Sequence, residues 1–151
     1  MIREIKKEEY ELAGKLIWDT YLKTEAKNDT LDGQNRFYTE FVDGDDLNNM
    51  LNNETLHLFG YYDDDTLMGL ISFMNNGYIM HLFVGMDYMH RGIARKLLEF
   101  IFKEAKNQGF NSVTLDSSVY ALDFYKKLGF KELGDKIVED GMAYIPLIKT
   151  L

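Results

Sequence analysis

The stretch Tyr88-Met89-His90-Arg91-Gly92-Ile93-Ala94-Arg95-Lys96-Leu97-Leu98-Glu99-Phe100 constrains this chain more than any other, because it joins an apolar strand signal to a basic helix opened by glycine. Just upstream, residues 79–84 form a short apolar run of strand type, which Gly85-Met86-Asp87 interrupts. From Arg91 onward, Ile93, Leu97, Leu98, Ile101, Phe102 and Ala105 recur at helical spacing. A helix that starts near Gly92 leaves its first backbone N–H groups unpaired and places the positive end of its dipole there, so main-chain donors alone can hold a phosphate. Gly92 and Ala94 keep the approach open, and His90, Arg91, Arg95 and Lys96 add mobile positive charge around the same point. Helix starts ordinarily favour acidic residues, which argues against a merely solvated basic turn.

The remainder of the sequence predicts one domain, residues 1–151. At 46% apolar and 14% aromatic residues it carries enough material for a core of ordinary size and is not a disordered chain. The absence of cysteine excludes disulfides, thiolate-bound metals and a Cys nucleophile, and suits a reducing compartment. Three histidines, His57, His81 and His90, are too scattered to suggest a metal site. The start Met1-Ile2-Arg3-Glu4-Ile5 lacks the apolar segment of a signal peptide, and no run approaches the roughly 20 apolar residues that cross a bilayer. A soluble, cytoplasmic protein is therefore expected. Seventeen basic against 25 acidic residues give a net charge of −8, which disfavours nucleic acid and anionic membranes as partners and favours a cationic substrate.

Read in order, residues 3–5 suggest a first strand and residues 7–25 a helix with Leu12, Ala13, Leu16, Ile17, Thr20 and Tyr21 on its core face. Residues 34–42 and 45–51 read as two short helices separated by Gly44. Residues 55–62 and 67–74 form a hairpin across Asp63-Asp64-Asp65, and Asn75-Asn76-Gly77 turns the chain into a third strand, residues 78–84. The helix after Gly92 ends near Asn107. Residues 111–116 follow as a strand parallel to the third, since a long helix separates the two, and a crevice is expected between their ends. Ala121, Phe124, Tyr125 and Leu128 mark a shorter helix closed by Gly129. Residues 131–138 and 143–149 make a last hairpin around Asp140-Gly141, in which Pro146 lacks a ladder donor and implies a bulge or an edge.

This succession resembles the GNAT family of acyl-CoA N-acyltransferases over essentially the whole chain, and two motifs carry the resemblance. Met89-His90-Arg91-Gly92-Ile93-Ala94 is similar to the family's Q/R-x-x-G-x-G/A pyrophosphate loop, with Met89 where Gln or Arg is usual. Ser118-Val119-Tyr120-Ala121-Leu122-Asp123-Phe124-Tyr125-Lys126-Lys127-Leu128-Gly129-Phe130 is similar to the N-x-x-A-x-x-F-Y-x-x-x-G-F segment, with Ser118 in the Asn position. The resemblance implies an α/β (α+β) fold: a mixed, mostly antiparallel twisted sheet of about seven strands flanked by helices, splayed between the fourth and fifth strands. It implies acetyl-CoA as cofactor, its pantetheine arm pairing like an added strand with the edge of Leu82, Phe83 and Val84. His90 through Arg95 would surround the pyrophosphate, Ser118, Tyr120 and Phe124 would border the cofactor, and Lys126 or Lys127 would meet the 3′-phosphate. Pairing into a homodimer through terminal strands is a further implication.

Acyl transfer to an amine needs a neutral nucleophile, donors for the oxygen that gains charge, and a proton for the departing thiolate. By resemblance, an N–H near Val84 supplies the second and Tyr125 the third; spacing alone favours reading Tyr125 as a core residue with Ala121 and Leu128, and the motif match reverses that preference. The general base is not legible. His81 alternates with Ile79 and Phe83 and reads as a core histidine, while Asp116, near the crevice, is a candidate to hold an ammonium group or a water. Phe37, Tyr38 and Phe41, with Tyr78, are the expected walls of a pocket for a small-molecule or peptide amine. The expected function is transfer of an acetyl group from acetyl-CoA to a primary amine by direct attack in a ternary complex. The alternative is an acyl-CoA-binding regulatory module with weak or no turnover.

Overall fold

In the computed structural model, which describes residues 1–151, the chain begins with strand β1 (Ile2–Glu4), a single helical turn and helix α1 (Tyr10–Thr24). Helix α1 turns Ala13, Ile17, Thr20, Tyr21 and Thr24 inward at steps of three and four residues, whereas Leu12, expected on that face, is 49% exposed and Leu16 only half-buried. Helix α2 (Leu31–Phe37) starts three residues before the predicted helix because Thr30 caps it, its Oγ1 accepting from Gly33 N at 3.0 Å. The same run continues as a π-helical turn, Tyr38–Val42, before helix α3 (Asp45–Asn52).

Strands β2 (Leu56–Asp63) and β3 (Thr66–Met74) form the predicted hairpin, with β1 on its outer edge. Tyr61 faces Gly69 and Tyr62 faces Leu67, so Met68 is a bulge that no alternation pattern announces. The bulge swaps faces: Leu67 and Leu70 join the core under α1, whereas Met68, Ile71 and Phe73 join the opposite one.

The predicted third strand, residues 78–84, is divided. Strand β4 (Tyr78–Ile79) is parallel to β6 (Ser112–Ser117), while β5 (Leu82–Val84) is antiparallel to β3. His81 sits at the break. Its backbone N–H donates to Ser72 Oγ at 2.9 Å, that hydroxyl bonds ring Nδ1 at 2.8 Å, and ring Nε2 donates to the Phe41 carbonyl at 2.8 Å. Two sheets result, β1-β2-β3-β5 and one built on β4 and β6, splayed between the fourth and fifth strands of the sequence reading. Helix α4 (Ile93–Asn107) lies across the splay and buries Leu97, Leu98 and Ile101 completely. Each such aliphatic side chain contributes about 1.5–3 kcal/mol by leaving water.

After β6 come α5 (Leu122–Lys127), β7 (Lys131–Glu132), β8 (Ile137–Glu139) and β9 (Met142–Thr150). The predicted strand over residues 131–138 is broken at 133–136, where its register on β9 shifts: Glu132 faces Leu147, but Ile137 faces Tyr144. Pro146 lies opposite this break, and its carbonyl accepts from Leu133 N at 2.8 Å, so its missing N–H faces the interruption. Pro146 thus marks an irregularity in its partner rather than a sheet edge, for β6 pairs along its other side. The tip of the β8–β9 hairpin folds back on α2: Thr30 N donates to Gly141 O at 2.9 Å, and Arg36 grips Asp140 at 2.9 Å. No helix is long and apolar enough to cross a membrane.

Candidate active site

The splay gives β5 an edge that no strand covers. His81 and Gly85 direct their peptide groups to β3, through the bonds from Ser72 N and to Met68 O. Alternation therefore turns the peptide groups of Leu82 and Val84 into the gap, where the Val84 carbonyl accepts from Thr20 Oγ1 at 3.3 Å. A ligand with extended amide groups can pair with this edge as a strand would.

At the far end of the gap stands the start of α4. Gly92 is its N-cap, in the left-handed conformation at φ +79°, and no side chain caps the helix. His90 is also left-handed, at φ +64°. These turns gather successive amides into a concavity of the kind that holds anions. The first amide of the segment with a partner is Lys96 N, on Gly92 O at 3.1 Å; those of residues 90–95 donate to no group of the protein. A Cβ placed on Gly92 would meet nothing within 4 Å, so the approach is unobstructed. The donor set, its dipole and its positive surroundings fit a diphosphate.

A cleft of about 430 Å³ connects this cradle to the splay, walled by Leu82, Phe83 and Val84 on one side and Tyr120, Phe124 and Tyr125 on the other. A second cavity of about 250 Å³ opens beyond it, beneath α2 and the β8–β9 hairpin. The two share Glu25, Leu82, Phe83, Ala121 and Tyr125. At this junction Tyr125 is 7% exposed, and its hydroxyl has no hydrogen-bond partner in the protein. Burial, and then the nearby Glu25 carboxylate, push that hydroxyl well above the usual tyrosine range, so it is a proton donor at neutral pH. Glu25 ends α1 as its C-cap. It too lacks a partner, and burial, with Asp29 beside it, raises its carboxyl to about 7. A carboxyl poised there can take a proton from an amine near neutrality.

The second cavity is aromatic and acidic. Tyr21 stacks on Phe37 with centroids 3.7 Å apart, and Phe37 on Phe41 at 4.7 Å. Tyr78 donates to Asp116 Oδ2 at 2.9 Å. Burial first, and Asp116 second, raise the Tyr78 hydroxyl above its ordinary range.

Of the residues singled out in the sequence, Leu82, Phe83, Val84, Met89, His90, Gly92, Ile93, Ala94, Arg95, Tyr120, Phe124 and Tyr125 surround the cleft. Arg91 does not: it reaches back to the Asp87 carbonyl at 3.4 Å and lies over the Tyr88 ring. Ser118 lines the second cavity instead, its Oγ accepting from Ala121 N at 3.1 Å in the turn that precedes α5. Lys127 is exposed outside the cleft, and Lys126 is 3.4 Å from Glu132. Phe37, Phe41, Tyr78 and Asp116 line the second cavity. Tyr38 does not line it: one residue on from Phe37 and so about 100° round the helix, it lies edge-on to Trp18 at 5.1 Å. The sequence pattern marks Glu25 only as the end of a core helix. The available signal was its position on the apolar stripe Ile17, Tyr21, Glu25, where a carboxylate has no reason to be unless it serves a site.

An edge-exposed splay, an anion cradle and a buried proton donor between them define an acyl-thioester-type cleft. Residues 17–151 match the family model described as the acetyltransferase (GNAT) domain. The chain belongs to the GNAT acetyltransferase family. An uncharacterised acetyltransferase of Streptococcus pyogenes is 34% identical over 65 residues, 43% of this chain and 44% of that protein. The chain thus aligns with less than half the length of such curated relatives. Over whole chains, the fold is similar to a GCN5-related N-acetyltransferase from Rhodopseudomonas palustris, with a TM-score of 0.83 and 18% identity, covering 100% of this chain and 95% of that one. It is also similar to the PaiA N-acetyltransferase of Thermoplasma acidophilum, solved in complex with coenzyme A, with a TM-score of 0.79 and 22% identity over 100% and 98% of the two chains.

Proposed function

We propose that this protein transfers the acetyl group of acetyl-CoA to a primary amine by direct attack in a ternary complex, with Glu25 as general base and Tyr125 as general acid. The observation that carries the reading is the junction: the cleft and the amine-sized cavity meet only across a wall containing both groups. The amides of residues 90–95 hold the diphosphate, and Leu82 and Val84 pair with the pantetheine arm, which brings the thioester to Tyr125. Acetyl-CoA supplies the activated carbonyl. Glu25 takes one proton from the incoming ammonium and returns it to solvent, leaving the nitrogen lone pair free. As the C–N bond forms and the C–S bond breaks, an amide in the splay stabilises the charge growing on the carbonyl oxygen. Tyr125 protonates the sulfur and is reprotonated by the remaining surplus proton on nitrogen, so one proton is released per turnover.

PaiA and the other relatives named above are acetyltransferases by description, which supports the choice of acyl group. Calorimetry with CoA and thiol release from acetyl-CoA over a panel of amines test the proposal. Micromolar CoA binding with turnover on some amine is the expected result. Binding without turnover on any amine would favour a regulatory acyl-CoA-binding module, a reading that Met89 at the usual Gln or Arg position keeps worth testing.

A further inference from the structure

The second cavity holds more negative charge than one transfer step requires. Four carboxylates line it, Glu25, Asp29, Glu40 and Asp116, against a single cation, Arg36. Arg36 is already engaged: Nε lies 2.8 Å from Glu40 and Nη1 2.9 Å from Asp140, while Nη2 is 3.9 Å from Glu139 and unbonded. Each edge of its guanidinium therefore already has one donor committed, so neither is open as a complete fork for the carboxylate of an amino-acid acceptor. Asp29 is occupied as well, one oxygen by the Tyr21 hydroxyl and the other by Ala143 N at 2.9 Å. Glu40 is neutralised by Arg36, which leaves two carboxylates with neither a cation nor both oxygens bonded. Glu25 has no partner at the junction, and Asp116, exposed at the cavity's solvent side, has only the Tyr78 hydroxyl. Much of the remaining wall is apolar, with Phe37, Phe41, Leu82 and Leu115.

Resting on the acetyltransferase reading above, we infer that the acceptor is a diamine or longer polyamine. One nitrogen reacts between Glu25 and Tyr125, the alkyl chain lies along the aromatic wall, and a second nitrogen stays protonated on Asp116. A monoamine with an uncharged tail leaves that carboxylate to water and gains nothing from it. An ω-amino acid places a like charge against it, a penalty that decides specificity more sharply than a lost attraction. The net charge of −8 draws the same dication toward the protein.

Three acceptors of equal length test this: 1,4-diaminobutane, butylamine and 4-aminobutyrate, with diamines of three to six carbons to find the best span. At saturating acetyl-CoA, the best diamine is expected to exceed butylamine at least tenfold in kcat/KM, with 4-aminobutyrate last. Raising salt from about 50 to 500 mM should shrink the diamine advantage severalfold, as screening of partly exposed charges requires. Asp116→Asn, which still accepts from Tyr78, should lower the diamine-to-butylamine ratio about tenfold. Equal use of butylamine and every diamine, preference for 4-aminobutyrate, or an unchanged ratio in Asp116→Asn would overturn the inference and leave the acetyltransferase reading intact. Absence of CoA binding together with absence of thiol release from all acceptors would overturn both.

Discussion

Glu25 and Tyr125 are two side chains whose chemistry depends on having no partner in the protein. Tyr125→Phe removes only a hydroxyl that bonds nothing, so thermal stability should change by less than about 0.5 kcal/mol. Its kcat should fall about 10²-fold while the KM for acetyl-CoA moves little, the signature of an interaction made in the transition state. An unchanged kcat in that variant would remove Tyr125 from the mechanism. Glu25→Gln should lower kcat/KM by about 10²–10⁴ and abolish an inflection of the pH profile near 7, where the carboxyl titrates. The same substitution should stabilise the fold at pH 8, because a carboxyl raised from 4.5 to about 7 is an unwelcome charge there. Its contact with water through the cavities discounts the gain to about 1–2 kcal/mol, measurable by denaturant titration.

Helix α2 and the β8–β9 hairpin meet where two glycines touch. A Cβ on Gly33 would come within 2.1 Å of Gly141 O, and one on Gly141, at φ +83°, within 2.0 Å of Thr30 Oγ1. The atoms that a Gly33 Cβ would meet are all backbone and have little room to yield, so Gly33→Ala should cost about 1–3 kcal/mol and pull the hairpin away from the acceptor cavity. Raised KM for the amine with an unchanged Kd for CoA would show that this contact shapes one cavity and not the other; loss of CoA binding would contradict that. Gly92→Ala meets no atom, so its cost is the left-handed strain alone, about 1 kcal/mol.

Two sheets held apart by a gap make the whole molecule sensitive to what fills that gap. Free CoA at 100 times its Kd should stabilise the fold by about 2.7 kcal/mol, raising Tm by about 5–10 °C for a chain of this size; differential scanning fluorimetry reads this directly. The molecule's response to acid combines opposite terms. Burial lowers His81 from 6.5 to about 4, so the unfolded chain takes up its proton first and stability falls as pH drops through that window, by at most about 3 kcal/mol. Glu25 acts inversely, since the native state holds its proton between about 7 and 4.5 and gains stability on acidification there. Wild type should therefore lose little between pH 7 and 4.5, and Glu25→Gln should lose more; parallel curves would refute the pairing.

The cradle was legible in the residues themselves, because a glycine-opened helix start and its cations are consecutive and need no distant partner. The helices α1 and α4, the β2–β3 hairpin and the parallel arrangement of the strand after α4 followed from periodicity and connection length. Other features depended on contacts between remote segments. His81 divides a predicted strand because Ser72 and Phe41 claim its donors and acceptors. The bulge at Met68 lets β3 serve two cores, and Tyr38 turns away while Phe37 and Phe41 turn in. Glu25 became a candidate base only when the end of α1 met Tyr125 across the splay, some 100 positions further along the chain. Local chemistry is written in neighbouring residues, whereas a shifted proton affinity belongs to whatever the fold packs around the group.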